Sequence, residues 1–334
     1  MKRMNSATAP RKGVLAKVKW VALAIVGVLL IVLLADLTVA GVSVYQLTHP
    51  KKAALETLPS EFGLDYYTFE LETENGTVYG WKIAAQQPIP DDAEDWVYTT
   101  EYSDKTVVLA QNYDRNRELS DLGGLDYVVD LCSAGYNVIT FDWTGTGYSD
   151  GRKNLFCLDK AEELKAVVRF AAEETGASFL AVQGIGFGCY PAAVAAADCG
   201  EVDALILDSC YDDFDEMFFA NYEAFAAVSA APVRKTVEWL LPTTAGDVIR
   251  SAALSDPVNR MSGKHVFFIQ GELDEVFGVA DAQKLLTLAK ADNEASLWLV
   301  SQAGHLRNRS YDSETYTAKI DEFLTGAYDG KAKA

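Results

Sequence analysis

The sequence predicts an α/β fold, a mostly parallel sheet with helices on both faces, preceded by one membrane-spanning helix. Three observations predict it. Residues 20–44 are almost wholly apolar, and about 20 apolar residues cross the hydrocarbon core of a bilayer. Downstream, short β-branched runs alternate with helical patterns, which is typical of a parallel sheet covered by helices. At 334 residues, the chain has room for one large domain beside the apolar segment.

The N-terminal region divides into a basic leader (1–19), an apolar anchor (20–44) and a stalk (45–65). The leader contains no acidic residue, and its cations are Lys2, Arg3, Arg11, Lys12, Lys17 and Lys19. Positive charge beside a first span stays cytoplasmic, so the N-terminus is predicted inside and the C-terminal domain outside the cytoplasm. A cleaved signal peptide is the alternative, because Thr38-Val39-Ala40 resembles a cleavage site. The apolar stretch exceeds the usual signal core of roughly 7–15 residues, which favours an uncleaved single-pass anchor.

The charge excludes one class of partner. The chain has 29 basic and 48 acidic residues, so without the leader's six cations the remainder carries a net charge of −25. Such a surface repels nucleic acid and anionic lipid headgroups, and no nucleic-acid partner is predicted. The five cysteines are an odd number with no zinc-site spacing, which predicts no metal, no obligatory disulfide and no cofactor.

The domain, residues 66–328, begins with a predicted hairpin. Tyr66 to Thr73 and Val78 to Ala85 are its strands, and Glu74-Asn75-Gly76 is its turn. Residues 86–105, which include Pro88 and Pro90, are predicted to form a loop. Six more strands, making eight, are predicted at 106–110, 136–141, 179–183, 204–207, 265–269 and 297–300, and helices at 117–134, 158–174, 187–197, 280–291 and 311–324.

Residues 211–264 interrupt this alternation and predict a small helical cap over the carboxyl ends of the strands. Its large apolar residues are Met217, Phe218, Phe219, Tyr222, Phe225, Trp239, Leu240 and Leu241. Ligand sites are mostly apolar, so these side chains are candidates to line a pocket for a small apolar or acyl ligand. The alternative, which we favour, is that they simply dock the cap onto the domain.

Four segments at predicted strand ends resemble motifs of the α/β-hydrolases. Asp142–Ser149 is similar to the family's Asp-x-Arg-Gly-x-Gly-x-Ser loop, and Gly184–Gly188 to its Gly-x-Ser-x-Gly elbow. Gly271–Asp274 and Ala303–His305 stand where the family keeps its acid and its histidine. The chain from residue 66 onward most resembles the membrane-anchored bacterial members with a small cap.

The resemblance implies a serine-hydrolase triad with its nucleophile missing. In such a triad an imidazole takes the serine proton and a carboxylate orients the imidazole. It assigns the remnant acid and base to Asp274 and His305, because His49 adjoins the anchor and His265 begins a strand. Gly186 stands at the nucleophile position and supplies no reactive atom. The implied oxyanion and pocket residues are Phe187, Asn112 and Tyr113.

The favoured function is therefore a membrane-anchored binding or interaction module without serine-hydrolase activity, its protein partner unidentified. The alternative is an active acyl or ester hydrolase that uses a nonstandard nucleophile or water activated by His305 and Asp274. The candidate substitute nucleophiles are Ser209, Ser149 and Cys189. Neither serine is predicted to face His305 from a helix N-terminus, and Cys189 is predicted to be buried. A purely structural scaffold is the third hypothesis.

Overall fold

The computed structural model describes residues 11–86 and 102–333. Lys2 and Arg3 of the predicted leader, and Pro88 and Pro90 of the predicted loop, lie outside the described residues.

One eight-stranded sheet organises the domain, in the order β1-β2-β4-β3-β5-β6-β7-β8. Its strands are β1 Tyr66–Thr73, β2 Gly76–Ile83, β3 Lys105–Ala110, β4 Asn137–Phe141, β5 Phe179–Ile185, β6 Ala204–Asp208, β7 His265–Gly271 and β8 Glu294–Val300. β2 pairs antiparallel with β1 and β4, whereas β4, β3 and β5 to β8 are parallel. The predicted mostly parallel sheet with a hairpin at one edge is confirmed.

Helices cover both faces of the sheet. The helices of the described residues are α1 Arg11–Thr48, α2 Leu125–Ser133, α3 Ala161–Thr175, α4 Cys189–Asp198, α5 Phe214–Ala220, α6 Tyr222–Phe225, α7 Ala231–Ala245, α8 Asp247–Ser251, α9 Ser255–Arg260, α10 Val279–Ala289, α11 Asn308–Tyr311 and α12 Ser313–Lys333. Alternate residues of a strand point to opposite faces, and Val108 and Val107 belong to separate apolar clusters. The first cluster contains apolar residues of α3 and α4, and the second contains those of α2 and α12.

Two predicted helices differ from those observed. Instead of one helix over 117–134, a 3-10 turn at Ser120–Leu122 precedes α2, because Gly123 and Gly124 have φ of +80° and +75° and break the helix. The predicted helix at 311–324 is two helices, α11 and the longer α12, separated at Asp312.

The N-terminal helix α1 is long and apolar enough to cross a membrane. It continues to Thr48, past the anchor boundary predicted at residue 44. The chain after it belongs to the segment predicted as a stalk entering the domain, and it contacts the domain directly. The Glu118 carboxylate accepts hydrogen bonds from the backbone of Glu56 at 2.8 Å and Thr57 at 2.5 Å, which ties this segment to the domain.

Candidate functional site

Parallel pairing brings four loops to the carboxyl edge of the sheet. Asn112 follows β3, Gly186 follows β5 at the centre of the elbow, Asp274 follows β7 and His305 follows β8. Ligands of open α/β sheets bind at this edge. The structure thus places these site residues at one edge of the sheet. They form two groups, and the members of each group contact one another.

The first group is an acid and an imidazole. His305 Nδ1 lies 3.1 Å and 3.2 Å from the two carboxylate oxygens of Asp274. A carboxylate can only accept, so Nδ1 donates and Nε2 is left as the basic nitrogen. The Asp274 side chain is fully buried, and the His305 side chain is 31% exposed.

Backbone amides hold Asp274 in place. Its Oδ1 accepts from Val276 N at 2.9 Å and Phe277 N at 2.8 Å. The Phe277 ring then meets the His305 ring edge-on, with centroids 4.5 Å apart. Both carboxylate oxygens thus accept hydrogen bonds, and the imidazole partner is positioned as a general base would be.

The second group surrounds Gly186, which is buried and has φ of +57°. Glycine adopts this left-handed conformation without the penalty that a Cβ brings. A Cβ built on Gly186 would lie 3.0 Å from Asn112 Oδ1 and 3.1 Å from Leu306 Cδ2. Neighbouring side chains therefore crowd the place of a nucleophile's side chain.

The amide after Gly186 is also occupied. Phe187 N donates to Asn112 Oδ1 at 3.1 Å. In α/β-hydrolases the amide at this position stabilises an oxyanion. Here the side-chain carbonyl of Asn112 already accepts its hydrogen bond. The β3 loop is held rigidly behind it, since Trp143 Nε1 donates to Gln111 O and Gln111 Nε2 donates to Phe141 O, at 2.8 Å and 2.7 Å.

Aromatic rings of the cap and of three loops that follow β3, β4 and β7 pack on Phe187. Their centroids lie 5.2–5.9 Å from that ring, and the residues are Tyr113, Phe156, Tyr211, Phe214, Phe225 and Phe277. Three of these rings, those of Tyr211, Phe214 and Phe225, belong to the cap and bring it into contact with the elbow. A cleft of about 410 Å³ does open in the cap, but Asp215, Glu216, Phe219, Glu238, Pro242 and Arg250 line it rather than the residues around Gly186.

The substitute nucleophiles are buried and hydrogen-bonded. Ser209 Oγ donates to Asp208 Oδ1 at 2.9 Å, and Ser149 Oγ donates to Asp142 O at 2.6 Å. Cys189 is fully buried, and burial raises the pKa of its thiol well above the ordinary value. A buried, neutral thiol is a weak nucleophile.

In the Asp142–Ser149 loop, Thr144 stands where the family motif has arginine. Its backbone N and its Oγ1 donate to the two carboxylate oxygens of the buried Glu163, at 2.9 Å and 2.6 Å. Lys160 Nζ donates to the same Thr144 hydroxyl at 2.9 Å. The substitution is accommodated by a local polar cluster, which anchors the loop to α3.

Sequence reasoning missed a buried polar network beneath the site. Asp208, at the end of β6, accepts from Tyr316 OH and Asn308 Nδ2, each at 2.6 Å. Gln183 Nε2 donates to the same Tyr316 hydroxyl and its Oε1 accepts from Tyr127 OH. Burial raises the pKa of the Asp208 carboxyl, which hydrogen bonds only partly offset. The acid ending a buried strand was the available signal.

Within the described residues, the structure brings no group of three or more His, Cys, Asp and Glu side chains together for a metal ion.

Comparisons with known proteins agree on the architecture. No protein-family model matches the chain. The uncharacterized protein YqkD of Bacillus subtilis (strain 168) is 21% identical over 256 residues, which are 76% of this chain and 78% of that protein. The structure of the Pyrococcus furiosus esterase Pf2001 superposes with a TM-score of 0.65 at 23% identity, covering 83% of this chain and 98% of that one. The α/β hydrolase GrgF from Penicillium sp. sh18 gives a TM-score of 0.60 at 16% identity, covering 79% and 99%. This protein has the α/β-hydrolase fold.

Proposed function

We propose that this protein is a membrane-anchored α/β-hydrolase-fold protein that lacks serine-hydrolase activity and acts as a binding or interaction module. The observation that carries the proposal is the state of the elbow. Gly186 offers no attacking atom, and Asn112 Oδ1 occupies the Phe187 amide at 3.1 Å. Two separate requirements of acyl transfer, a nucleophile and a free oxyanion donor, are unmet at the same place.

The anchor and its orientation form the second part of the proposal. α1 passes through the bilayer once, with the basic leader in the cytoplasm and the domain on the other side. Support comes from the hydropathy and exposure of α1 and from Lys17 and Lys19 at its start. Reaction of an introduced surface cysteine with a membrane-impermeant maleimide on intact cells tests the orientation, and labelling only after lysis would contradict it.

An activity panel with short p-nitrophenyl esters tests the first part. We expect the wild-type protein, His305→Ala and His265→Ala to hydrolyse every ester at the rate of buffer. His265 is the matched control, because it is a partly buried histidine at the start of β7, away from Asp274. Turnover that disappears in His305→Ala but persists in His265→Ala would contradict the proposal.

The second candidate function is an acyl or ester hydrolase that uses water activated by His305. The favouring observation is the retained pair of His305 and Asp274, and the structurally similar Pyrococcus furiosus protein is named an esterase. General-base catalysis alone contributes about 10²–10⁴-fold. This candidate predicts slow turnover that requires His305 and passes through no covalent intermediate, and the same histidine variants decide between the two.

Thermal-shift measurements distinguish a module that binds a ligand beneath the cap from one that binds through its outer surface. If Phe187 and its neighbouring rings fill the space beneath the cap, fatty acids and small esters should not raise the melting temperature. A ligand that raises the melting temperature of the wild-type protein but not that of a Phe225→Trp variant would place the binding site in the interior, beneath the cap.

A further inference from the structure

The last third of α1 is packed against the cap. Side chains from Val18 to Leu34 are exposed, whereas Ala40 and Val44 are buried in the domain core, where Val237 of α7 is also found. α1 and α7 are in direct contact, and Thr236 Oγ1 donates to the Asp36 carboxylate at 2.5 Å. The C-terminal part of α1 therefore packs directly against the cap.

The length of the exposed part places Asp36 at the edge of the hydrocarbon. Residues 18–35 rise about 27 Å at 1.5 Å per residue, close to the roughly 30 Å of a bilayer core. An aspartate deeper in the hydrocarbon is strongly unfavourable. Because Thr236 contacts Asp36, the first turns of α7 lie at the same level as the membrane boundary.

The chain around the start of α7 differs in charge from the rest of the domain. Residues 226–235, here called the cap edge, contain no acidic residue, although the chain after the leader carries a net charge of −25. Small residues of the cap edge are exposed: Ala227, Ser229, Ala230, Ala231 and Pro232. Lys235 is also exposed, and Trp239 follows it one helical turn later with 61% of its surface exposed.

We propose that the cap edge rests on the bilayer in which α1 is inserted, with Lys235 and Trp239 in the headgroup region. Lys235 supplies attraction to phosphate groups, and tryptophan favours the interface between headgroups and hydrocarbon. The acid-free stretch 226–235 lets an otherwise acidic domain approach anionic lipid at this point, and Glu238 beside Trp239 is paired with Arg234 at 3.0 Å. The proposal rests on the anchor proposed above, and it adds that the cap, through α7, is held against the membrane.

A fluorescent label on the cap edge tests this contact. All five native cysteines are buried, so an environment-sensitive dye attaches to an introduced surface cysteine. The test variant is Ser229→Cys in the full chain, reconstituted in phosphatidylcholine vesicles with and without phosphatidylglycerol. The matched control is Ser178→Cys, an exposed serine before the amino end of β5, at the opposite edge of the sheet from the cap.

We expect dye at position 229 to emit at shorter wavelength than dye at position 178, and to be quenched by lipids that carry a spin label near the headgroup. In vesicles with phosphatidylglycerol, Lys235→Glu should reduce that quenching. Equal emission and equal absence of quenching at both positions would overturn the proposal.

Vesicle flotation separates this failure from a failure of the anchor. Protein that floats with the vesicles but shows a fully aqueous dye at 229 retains the anchor and refutes the contact of the cap edge. Protein that stays at the bottom of the gradient refutes the anchor, and the contact with it.

Discussion

Replacing Gly186 by serine introduces the side chain that the family carries at this position. The loss of stability measures how strongly Asn112 and Leu306 resist displacement from that space. The φ of +57° costs a non-glycine residue about 1–2 kcal/mol. The new Cβ would lie 3.0 Å from Asn112 Oδ1 and 3.1 Å from Leu306 Cδ2, so both side chains must shift. The shifts needed are only a few tenths of an ångström, so Asn112 keeps its hydrogen bond to the Phe187 amide, and the overpacking of this buried site adds about 1–3 kcal/mol. We expect Gly186→Ser to lower the free energy of unfolding by about 2–5 kcal/mol in total.

Gly176→Ser is the matched control. Gly176 has φ of +62°, and no heavy atom lies within 4 Å of its Cβ position. The control therefore carries only the backbone term, about 1–2 kcal/mol. Thermal denaturation of the full chain in detergent resolves the difference, since each kcal/mol shifts the melting temperature by roughly 2–4 °C in a domain of this size.

Two results would refute this reasoning. Equal destabilisation by Gly186→Ser and Gly176→Ser would mean that Asn112 and Leu306 yield freely and do not occupy the site. Esterase activity in the Gly186→Ser single variant would mean that the Phe187 amide is available to an oxyanion. We expect the single variant to be inactive.

Three further predictions concern the surroundings of the elbow. Asn112→Ala should cost about 1–3 kcal/mol of stability, because it leaves the amide of Phe187 unpaired, and urea denaturation measures the loss. Phe187→Ala should cost about 3–5 kcal/mol and speed proteolysis within the cap, whereas Phe179→Ala, another fully buried phenylalanine, should leave the cap protected; equal cleavage would contradict this. Because burial raises the pKa of Asp208 above its ordinary 3.8, the folded state binds that proton more tightly than the unfolded chain. The stability it contributes is complete below the unfolded pKa and is lost as pH rises through the raised folded pKa, so Asp208→Asn should flatten stability against pH above 3.8 and an unchanged slope would contradict it.

The sheet and the positions of the site loops follow from local patterns in the sequence. Buried strands such as Phe179–Ile185 are apolar runs bounded by turns, and parallel strands place their following loops at one edge. The absence of a nucleophile at Gly186 can also be predicted from the sequence, because it depends only on the identity of one residue.

The position of the Asn112 side chain beside Gly186 cannot be predicted from the sequence. The direction of the Asn112 side chain depends on how the β3 loop is held by Gln111 and Trp143, and those partners come from distant parts of the chain. The two glycines that delay the start of the predicted helix to Leu125, Gly123 and Gly124, act through φ values that composition does not reveal.

The packing of α1 on the cap also escapes sequence reasoning. A helix that is apolar on every side carries no stripe that marks a docking face, and the polar contact of Asp36 with Thr236 joins residues far apart in the chain.

Intact-mass measurement after treatment with a fluorophosphonate tests the absence of a covalent nucleophile most directly. The purified full chain should keep its unmodified mass, while a serine hydrolase treated in parallel gains one adduct. An adduct on the wild-type chain that is missing from His305→Ala, mapped to Ser209, Ser149 or any other side chain, would contradict the account.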